Sequence, residues 1–81
     1  MSQKLPSLTP KQLLRALTRK RAGFYVCHTS SRGSHIHLCH PDDPTILVDI
    51  AMHAKTLKRG TLHNILRQAK LTRQEFLQLL R

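Results

Sequence analysis

Hydrophobic residues recur at helical spacing in three stretches of this chain, and the first stretch carries signals for both of its ends. Thr9 is placed to cap a helix, with Pro10 at the first helical position and Gln12 as the partner of a capping box. The basic run 19–21 suits the negative end of a helix dipole, and Gly23 suits the left-handed residue after a helix. The pattern therefore predicts a first helix from Thr9 to the basic run.

Two further helices are predicted in the last part of the chain. Helical spacing returns over 61–69, and a last helix opens at Thr72 with Glu75 as its capping partner. The residues that the three helices are expected to bury are Leu13, Leu14, Leu17, Leu62, Ile65, Leu66, Ala69, Phe76, Leu79 and Leu80.

Between the helices, hydrophobic and polar residues alternate, which is the period of a β-strand. Three strands are predicted, over 24–30, 35–40 and 45–51, with a turn at 41–44. They would form an antiparallel meander. The residues expected on its apolar face are Phe24, Val26, His28, Ile36, Leu38, Ile46, Val48 and Ile50.

The order of these elements predicts an α+β fold in two layers, α-β-β-β-α with a short further helix. Amphipathic helices are expected to cover one face of a three-stranded antiparallel sheet and to leave the other face open. With 81 residues, the chain is expected to form one domain over 1–81.

The length of the loop between the first two strands can be inferred from the residue numbers. The apolar residues of both strands must share one face of the sheet, so two residues that pair directly must both have odd numbers or both have even numbers. A three-residue loop over 31–33 satisfies this condition, with Gly33 in the left-handed conformation that such loops favour. His35 and His37 then project together from the open face, roughly 7 Å apart at Cα. The predicted cross-strand pairs are Thr29 with His35, Cys27 with His37, and Tyr25 with Cys39.

Composition adds a strong positive charge: fourteen Lys and Arg face four Asp and Glu, a formal net charge of +10. Such a field attracts polyanions, so nucleic acid, an acidic protein or both are expected partners.

No apolar run approaches a membrane span, and the first residues lack the apolar core of a signal peptide, which predicts a cytoplasmic protein. Cys27 and Cys39 are too few for a disulfide scaffold and are expected to be reduced thiols.

Several short motifs follow one another along nearly the whole chain. They are Gly33-Ser34-His35, His40-Pro41, His53, the runs 58–62 and 65–69, and Leu71-Thr72 with Glu75-Phe76-Leu77. In this order and spacing they resemble the HicA toxins of toxin–antitoxin operons. The resemblance implies a fold similar to double-stranded RNA-binding domains, ribosome-independent cleavage of mRNA, and neutralisation by a HicB antitoxin. By position, it implies that His35 is the catalytic histidine.

The chain departs from the family pattern at two positions. Many members have a second histidine where this chain has Ile36, and many have a proline in the third strand where it has Asp49. His37 is then the nearby candidate for a second imidazole.

The chemistry of RNA cleavage can be weighed from the residues alone. RNA carries its own nucleophile, the 2′-hydroxyl, so cleavage needs chiefly a base, cations around the phosphate and correct alignment. Histidine, whose ordinary pKa is about 6.5, suits the base role of His35. His37 can protonate the leaving 5′-oxygen, although water can do so too. A two-metal nuclease needs converging carboxylates. Metal-independent cleavage without a cofactor is favoured because the four acids are scattered: Asp42, Asp43, Asp49 and Glu75.

Two basic segments are candidates for holding phosphate. One immediately precedes the second helix, whose first amides and dipole form an anion site, although a solvated loop is the alternative. The other is the turn before His35, which is placed to steady the scissile phosphate. The candidate RNA-binding residues are Lys55, Lys58 and Arg59 in the first segment and Arg32, Gly33 and Ser34 in the second.

Two other functions fit the same residues. A domain of this fold can bind RNA without cutting it, and His35→Ala would then leave its biological effect intact. A zinc ion held by His35, His37 and Cys39 on one strand face is the other hypothesis, although the usual zinc spacings are absent.

The remaining histidines in and around the strands are expected to serve structure first. His28 is expected at the edge of the core, and His40 is expected to cap the turn that begins at Pro41. His53 is expected in a solvated loop, with contact to phosphate as the alternative.

Overall fold

In the computed structural model, which describes residues 4–81, three helices and three strands follow one another in the predicted order. The antiparallel sheet has the strand order β1-β2-β3, so β2 is central and the other two strands are edges. One hydrophobic core joins the helices to a single face of the sheet. The predicted α+β fold, similar to double-stranded RNA-binding domains, is confirmed. The elements are α1 (Pro10–Leu17), β1 (Tyr25–Thr29), β2 (His35–His40), β3 (Asp43–Ala51), α2 (Arg59–Gln68) and α3 (Arg73–Leu79).

Two helices begin at capping boxes, as predicted. The Gln12 backbone N–H donates to the Thr9 hydroxyl at 3.2 Å, and the Thr9 N–H donates to the Gln12 side chain at 2.9 Å. Thr72 and Glu75 make the same reciprocal pair at the start of α3. The hydrogen bonds from the Thr72 backbone N–H and hydroxyl hold the pKa of Glu75 below its ordinary value. The interactions that begin α1 and α3 are local, because each capping box joins two residues that are three positions apart in the sequence.

The predicted end of α1 is wrong, since the helix stops at Leu17 and the basic run lies beyond it. The Thr18 hydroxyl donates to the Leu14 carbonyl at 2.8 Å, a local bond that competes with helical continuation. Arg19 and Arg21 instead donate to the carbonyls of Arg81 and Gln78 at 2.9 and 2.8 Å. The basic run therefore ties the start of the sheet to the C-terminal end of the chain.

The second hairpin follows the predicted alternation. Ile36 pairs with Ile50 and Leu38 pairs with Val48, and the last three of these residues are fully buried. The third strand begins at Asp43 rather than at the predicted residue 45, because His40 and Asp43 pair across a tighter turn. The even-numbered apolar residues of β2 and β3 thus face the helices, and the odd-numbered residues from 35 to 39 face the opposite, open side.

The first hairpin departs from the predicted register. Tyr25 pairs with Cys39 as predicted, but an irregularity after Val26 inserts Cys27 as a β-bulge. The predicted pairs of Cys27 with His37 and of Thr29 with His35 are therefore wrong. His28 pairs with His37, and Thr29 pairs with Ile36.

The loop of this hairpin is one residue longer than predicted. The Ser30 N–H donates to the His35 carbonyl at 3.0 Å, which leaves residues 31–34 as the loop. Gly33 has φ +71°, so its predicted left-handed conformation is confirmed.

The two cysteines form a disulfide between β1 and β2, which contradicts the expectation of reduced thiols. The α-carbons of Cys27 on β1 and Cys39 on β2 lie 5.8 Å apart, within the range that a disulfide spans. Cys27 follows Tyr25, the residue that pairs with Cys39, by two positions along β1, and this places the two sulfurs within bonding reach. Within residues 4–81, no helix is long and apolar enough to span a bilayer.

Candidate active site on the open sheet face

His35 lies at the start of β2 with its side chain 44% exposed on the open face. Its Nδ1 lies 3.3 Å from Oδ1 of Asp49 on β3. An ionised carboxylate only accepts hydrogen bonds, so Nδ1 carries the proton of a neutral ring and Nε2 keeps a free lone pair. That nitrogen makes no hydrogen bond with any part of the chain that the structure describes.

Asp49 lies between the two candidate catalytic histidines. The same Oδ1 atom lies 3.8 Å from Nε2 of His37, which is the residue that pairs with Asp49 across the sheet. The sequence placed Asp49 among the scattered acids and marked it as a departure from the family pattern, but it did not predict these contacts. The alternation of β3 already put Asp49 on the open face. Only the register of the second hairpin was needed to place it beside His37.

Two further histidines complete the group. The His28 ring lies 5.4 Å from the His37 ring, and the His53 ring lies 5.8 Å from the His35 ring. The expectation that His28 sits at the edge of the core is wrong, because the bulge turns it to the open face. His53 is exposed in the connection before α2, as expected. We call these four imidazoles and the Asp49 carboxylate the histidine cluster.

The loop before His35 is held by its own hydrogen bonds. The Ser30 hydroxyl accepts from the His35 N–H at 3.2 Å and lies 3.4 Å from the Ser34 hydroxyl. The Ser34 carbonyl accepts from the Met52 N–H at 2.7 Å, which joins the loop to the end of β3. Gly33 has open space around its α-carbon, so the backbone can approach a ligand there. Ser34 thus holds the loop in shape, and Gly33 leaves it accessible.

Four of the predicted RNA-binding side chains are unengaged cations. Among residues 4–81, no hydrogen bond or ion pair involves their side chains, and all four are exposed. They are Arg32, Lys55, Lys58 and Arg59. Lys58 is the N-cap of α2 without a side-chain cap bond, so the first amides of this helix are also unfilled by side chains. His53 brings the connection that carries Lys55 and Lys58 against His35.

His40 lies outside the histidine cluster and serves the fold. Its Nδ1 accepts from the Asp42 N–H at 3.2 Å, which confirms the predicted cap of the turn. Its Nε2 donates to the Ala22 carbonyl at 3.0 Å, and its ring packs edge-on against Phe24. His40 therefore fastens the central strand to the connection between α1 and β1.

The zinc hypothesis fails on its sulfur ligand. Cys39 is bonded to Cys27, so it has no thiolate to offer beside His35 and His37. In the described range, 4–81, no three His, Cys, Asp or Glu side chains form a group arranged to hold a metal ion.

A two-layer α+β domain whose fold is similar to that of double-stranded RNA-binding domains, with a histidine cluster on its open sheet face, is the class that this geometry defines. Comparison with protein families identifies the family within this class of fold. The family model of the HicA toxins of bacterial toxin–antitoxin systems matches residues 10–71. The chain belongs to this family, which confirms the resemblance in the motifs and makes it the toxin of a pair with an antitoxin. Comparison with curated proteins gave no significant match.

Proposed function

We propose that this toxin is a metal-independent endoribonuclease that cleaves mRNA, with His35 as the general base. The observation that carries the proposal is the His35 imidazole itself. One ring nitrogen is engaged by the Asp49 carboxylate, and the other is free on an open, half-exposed sheet face beside an accessible glycine. A base must be oriented and must also reach substrate, and this arrangement meets both conditions.

In the proposed reaction, Nε2 of His35 takes the proton of a ribose 2′-hydroxyl. The 2′-oxygen attacks the adjacent phosphorus, and the bond from phosphorus to the 5′-oxygen breaks. The products are a 2′,3′-cyclic phosphate and a 5′-hydroxyl. His37 donates a proton to the leaving 5′-oxygen, with water as the alternative donor. Asp49 lies beside both imidazoles, with Oδ1 at 3.3 Å from His35 Nδ1 and 3.8 Å from His37 Nε2, and would orient the two rings during the transfer.

The disposition of the acids supports a reaction without a metal. Asp43 is engaged by Thr45 and Lys70, and Glu75 is engaged by the cap of α3. Asp49 faces two imidazoles rather than another carboxylate. The pair of converging carboxylates that two-metal cleavage uses is therefore missing from this surface of residues 4–81.

The unengaged cations would hold the RNA backbone. Arg32 follows β1 in the loop next to His35, and Lys55, Lys58 and Arg59 lie at the entrance to α2. Basic side chains and helix N-terminal amides bind phosphate oxygens without reading sequence. Gly33 and Ser34 would shape the loop that meets the scissile phosphate.

The antitoxin partner is proposed to be HicB-like and to cover the open sheet face. A surface of net charge +10 is best matched by an acidic partner, and occupation of the histidine cluster would exclude RNA. A complex in which the antitoxin lies far from His35 would contradict this.

The first experiment is cleavage of a long single-stranded RNA in EDTA by the wild type and by His35→Ala. A general base contributes about 10²- to 10⁴-fold, so the variant should cut at least ~100-fold more slowly at equal RNA binding. Equal cutting by both proteins would remove His35 from the mechanism. Binding by both without cutting by either would favour the alternative of a non-catalytic RNA-binding module.

A further inference from the structure

A second feature of the open face lies beyond the histidine cluster, at the far end of β2. Tyr25, Cys39 and Leu47 pair in one row across all three strands, and Cys39 is bonded to Cys27 beside it. Tyr25 is 50% exposed and Leu47 is 53% exposed. This apolar row therefore presents one aromatic ring, one branched aliphatic chain and a disulfide to solvent.

We propose that the apolar row is a subsite for a single nucleobase of the substrate RNA, which stacks on Tyr25 and contacts Leu47. The proposal rests on the proposed ribonuclease function, because it extends the same RNA strand from the histidine cluster. Every nucleobase has a π-face, so an exposed aromatic ring on a sheet binds bases with little dependence on sequence.

The position of the row relative to His35 suits one strand of RNA. Cys39 lies two residues after His37 and four after His35 on the same strand and the same face. The row is therefore about 7 Å from His37 and about 14 Å from His35 along the strand. An RNA strand covers that distance in a few nucleotides, so a base near the cut can reach Tyr25 while its phosphates meet the basic residues.

The size of the row favours a base over a protein. A stable protein interface needs roughly 800 Å² on each partner. The third exposed apolar side chain in the sheet, Val26, pairs with buried Leu38 and so lies on the opposite face, where it does not extend the row. One ring with two small apolar neighbours matches one planar base, and the net charge of +10 favours a polyanion.

The test uses binding, so that it is independent of cleavage. Short RNA oligonucleotides with 2′-O-methyl groups lack the nucleophilic hydroxyl, and a series with one abasic position each shows which base is bound. Tyr25→Phe keeps the ring, Tyr25→Leu keeps an apolar side chain without it, and Val26→Ala is the matched control on the other face.

Stacking on an aromatic side chain is worth about 5- to 150-fold in affinity per base. Tyr25→Leu should weaken binding by that factor, whereas Tyr25→Phe and Val26→Ala should bind like the wild type. One abasic position should weaken binding to the wild type and should have no further effect on Tyr25→Leu.

Unchanged RNA binding by Tyr25→Leu would overturn the subsite. So would a variant that binds RNA normally but loses the antitoxin, since the row would then be a protein contact. If His35→Ala fails to abolish cleavage but Tyr25 still binds a base, the base role of His35 is wrong and the subsite stands.

Discussion

The two edge strands of the sheet differ in what holds them in place. β3 buries Ile46, Val48 and Ile50 against the helices at 8, 0 and 0% exposure, and these residues face inward as their alternation predicts. All five residues of β1 are exposed, and β1 carries the bulge that overturned the predicted register. A strand that is packed into the core has one acceptable register, because a slip would expose its apolar side chains. A strand that packs little against the core can change register at small cost.

The largest expected effect comes from removing a core contact of β3. Ile50→Ala should destabilise the protein by about 2–5 kcal/mol, because Ile50 is fully buried and the cavity cannot be filled. Val26→Ala in β1 should change stability by no more than about 0.5 kcal/mol, since Val26 is 46% exposed. Urea unfolding of both variants measures the difference. Equal losses would mean that β1 contributes to the core as much as β3 does.

The disulfide should replace part of the packing that β1 lacks. It closes a loop over a sequence separation of 12, for which the chain-entropy model gives about 3 kcal/mol. The double variant Cys27→Ser, Cys39→Ser should lose about this much stability relative to the oxidised wild type. Addition of a dithiol reductant should lower the free energy of unfolding of the wild type to that of the double variant. A wild type that does not respond to reductant, with two titratable thiols, would contradict the bond.

The two edge strands should also differ in their contribution to catalysis. Asp49→Asn on β3 removes the carboxylate that orients His35. Loss of the orienting carboxylate costs about 10⁴-fold in a catalytic triad, and the exposed contact here should cost less, with a loss of at least ~10-fold expected. His28→Ala on β1 removes only a ring contact with His37 and should lower the cleavage rate by a smaller factor. Asp42→Asn is the matched control, because it makes the same charge change in an exposed turn. A rate unchanged by Asp49→Asn at pH 7 would show that His35 needs no carboxylate.

The smallest expected effect on stability concerns the start of β3, where Asp43 forms an ion pair with Lys70. Hydrogen bonds from the Thr45 hydroxyl and backbone, with the nearby Lys70 ammonium, lower the pKa of Asp43 from 3.8 to about 2. A lowered pKa stabilises the fold at pH values above 3.8, and this contribution disappears as the pH falls through about 2. Thermal unfolding should therefore show Asp43→Asn less stable than the wild type at pH 5, with the gap closing toward pH 2. A stability difference between the two proteins that does not change with pH would show that the ionised Asp43 carboxylate is not its cause.

The candidate site was predictable as far as strand alternation reaches. His35 and His37 share the polar face of β2, and Gly33 takes the left-handed conformation that its loop requires. The partners of these histidines were not predictable in the same way. Asp49 and His53 come from distant segments, and their approach depends on the second hairpin and on the path of the chain into α2. His28 was assigned to the wrong face because one inserted residue reverses the side of every position after it.

The amino-acid sequence by itself determined the capped starts of α1 and α3, the inward residues of β2 and β3, and the open face on which His35 lies. Each depends on contacts between residues a few positions apart or on burial that allows only one register. The tertiary structure alone decided the bulge at Cys27, the disulfide and the meeting of Asp49 with two imidazoles. These features depend on which distant backbone segments come together, and on exposed segments several arrangements differ little in free energy until the whole chain has packed.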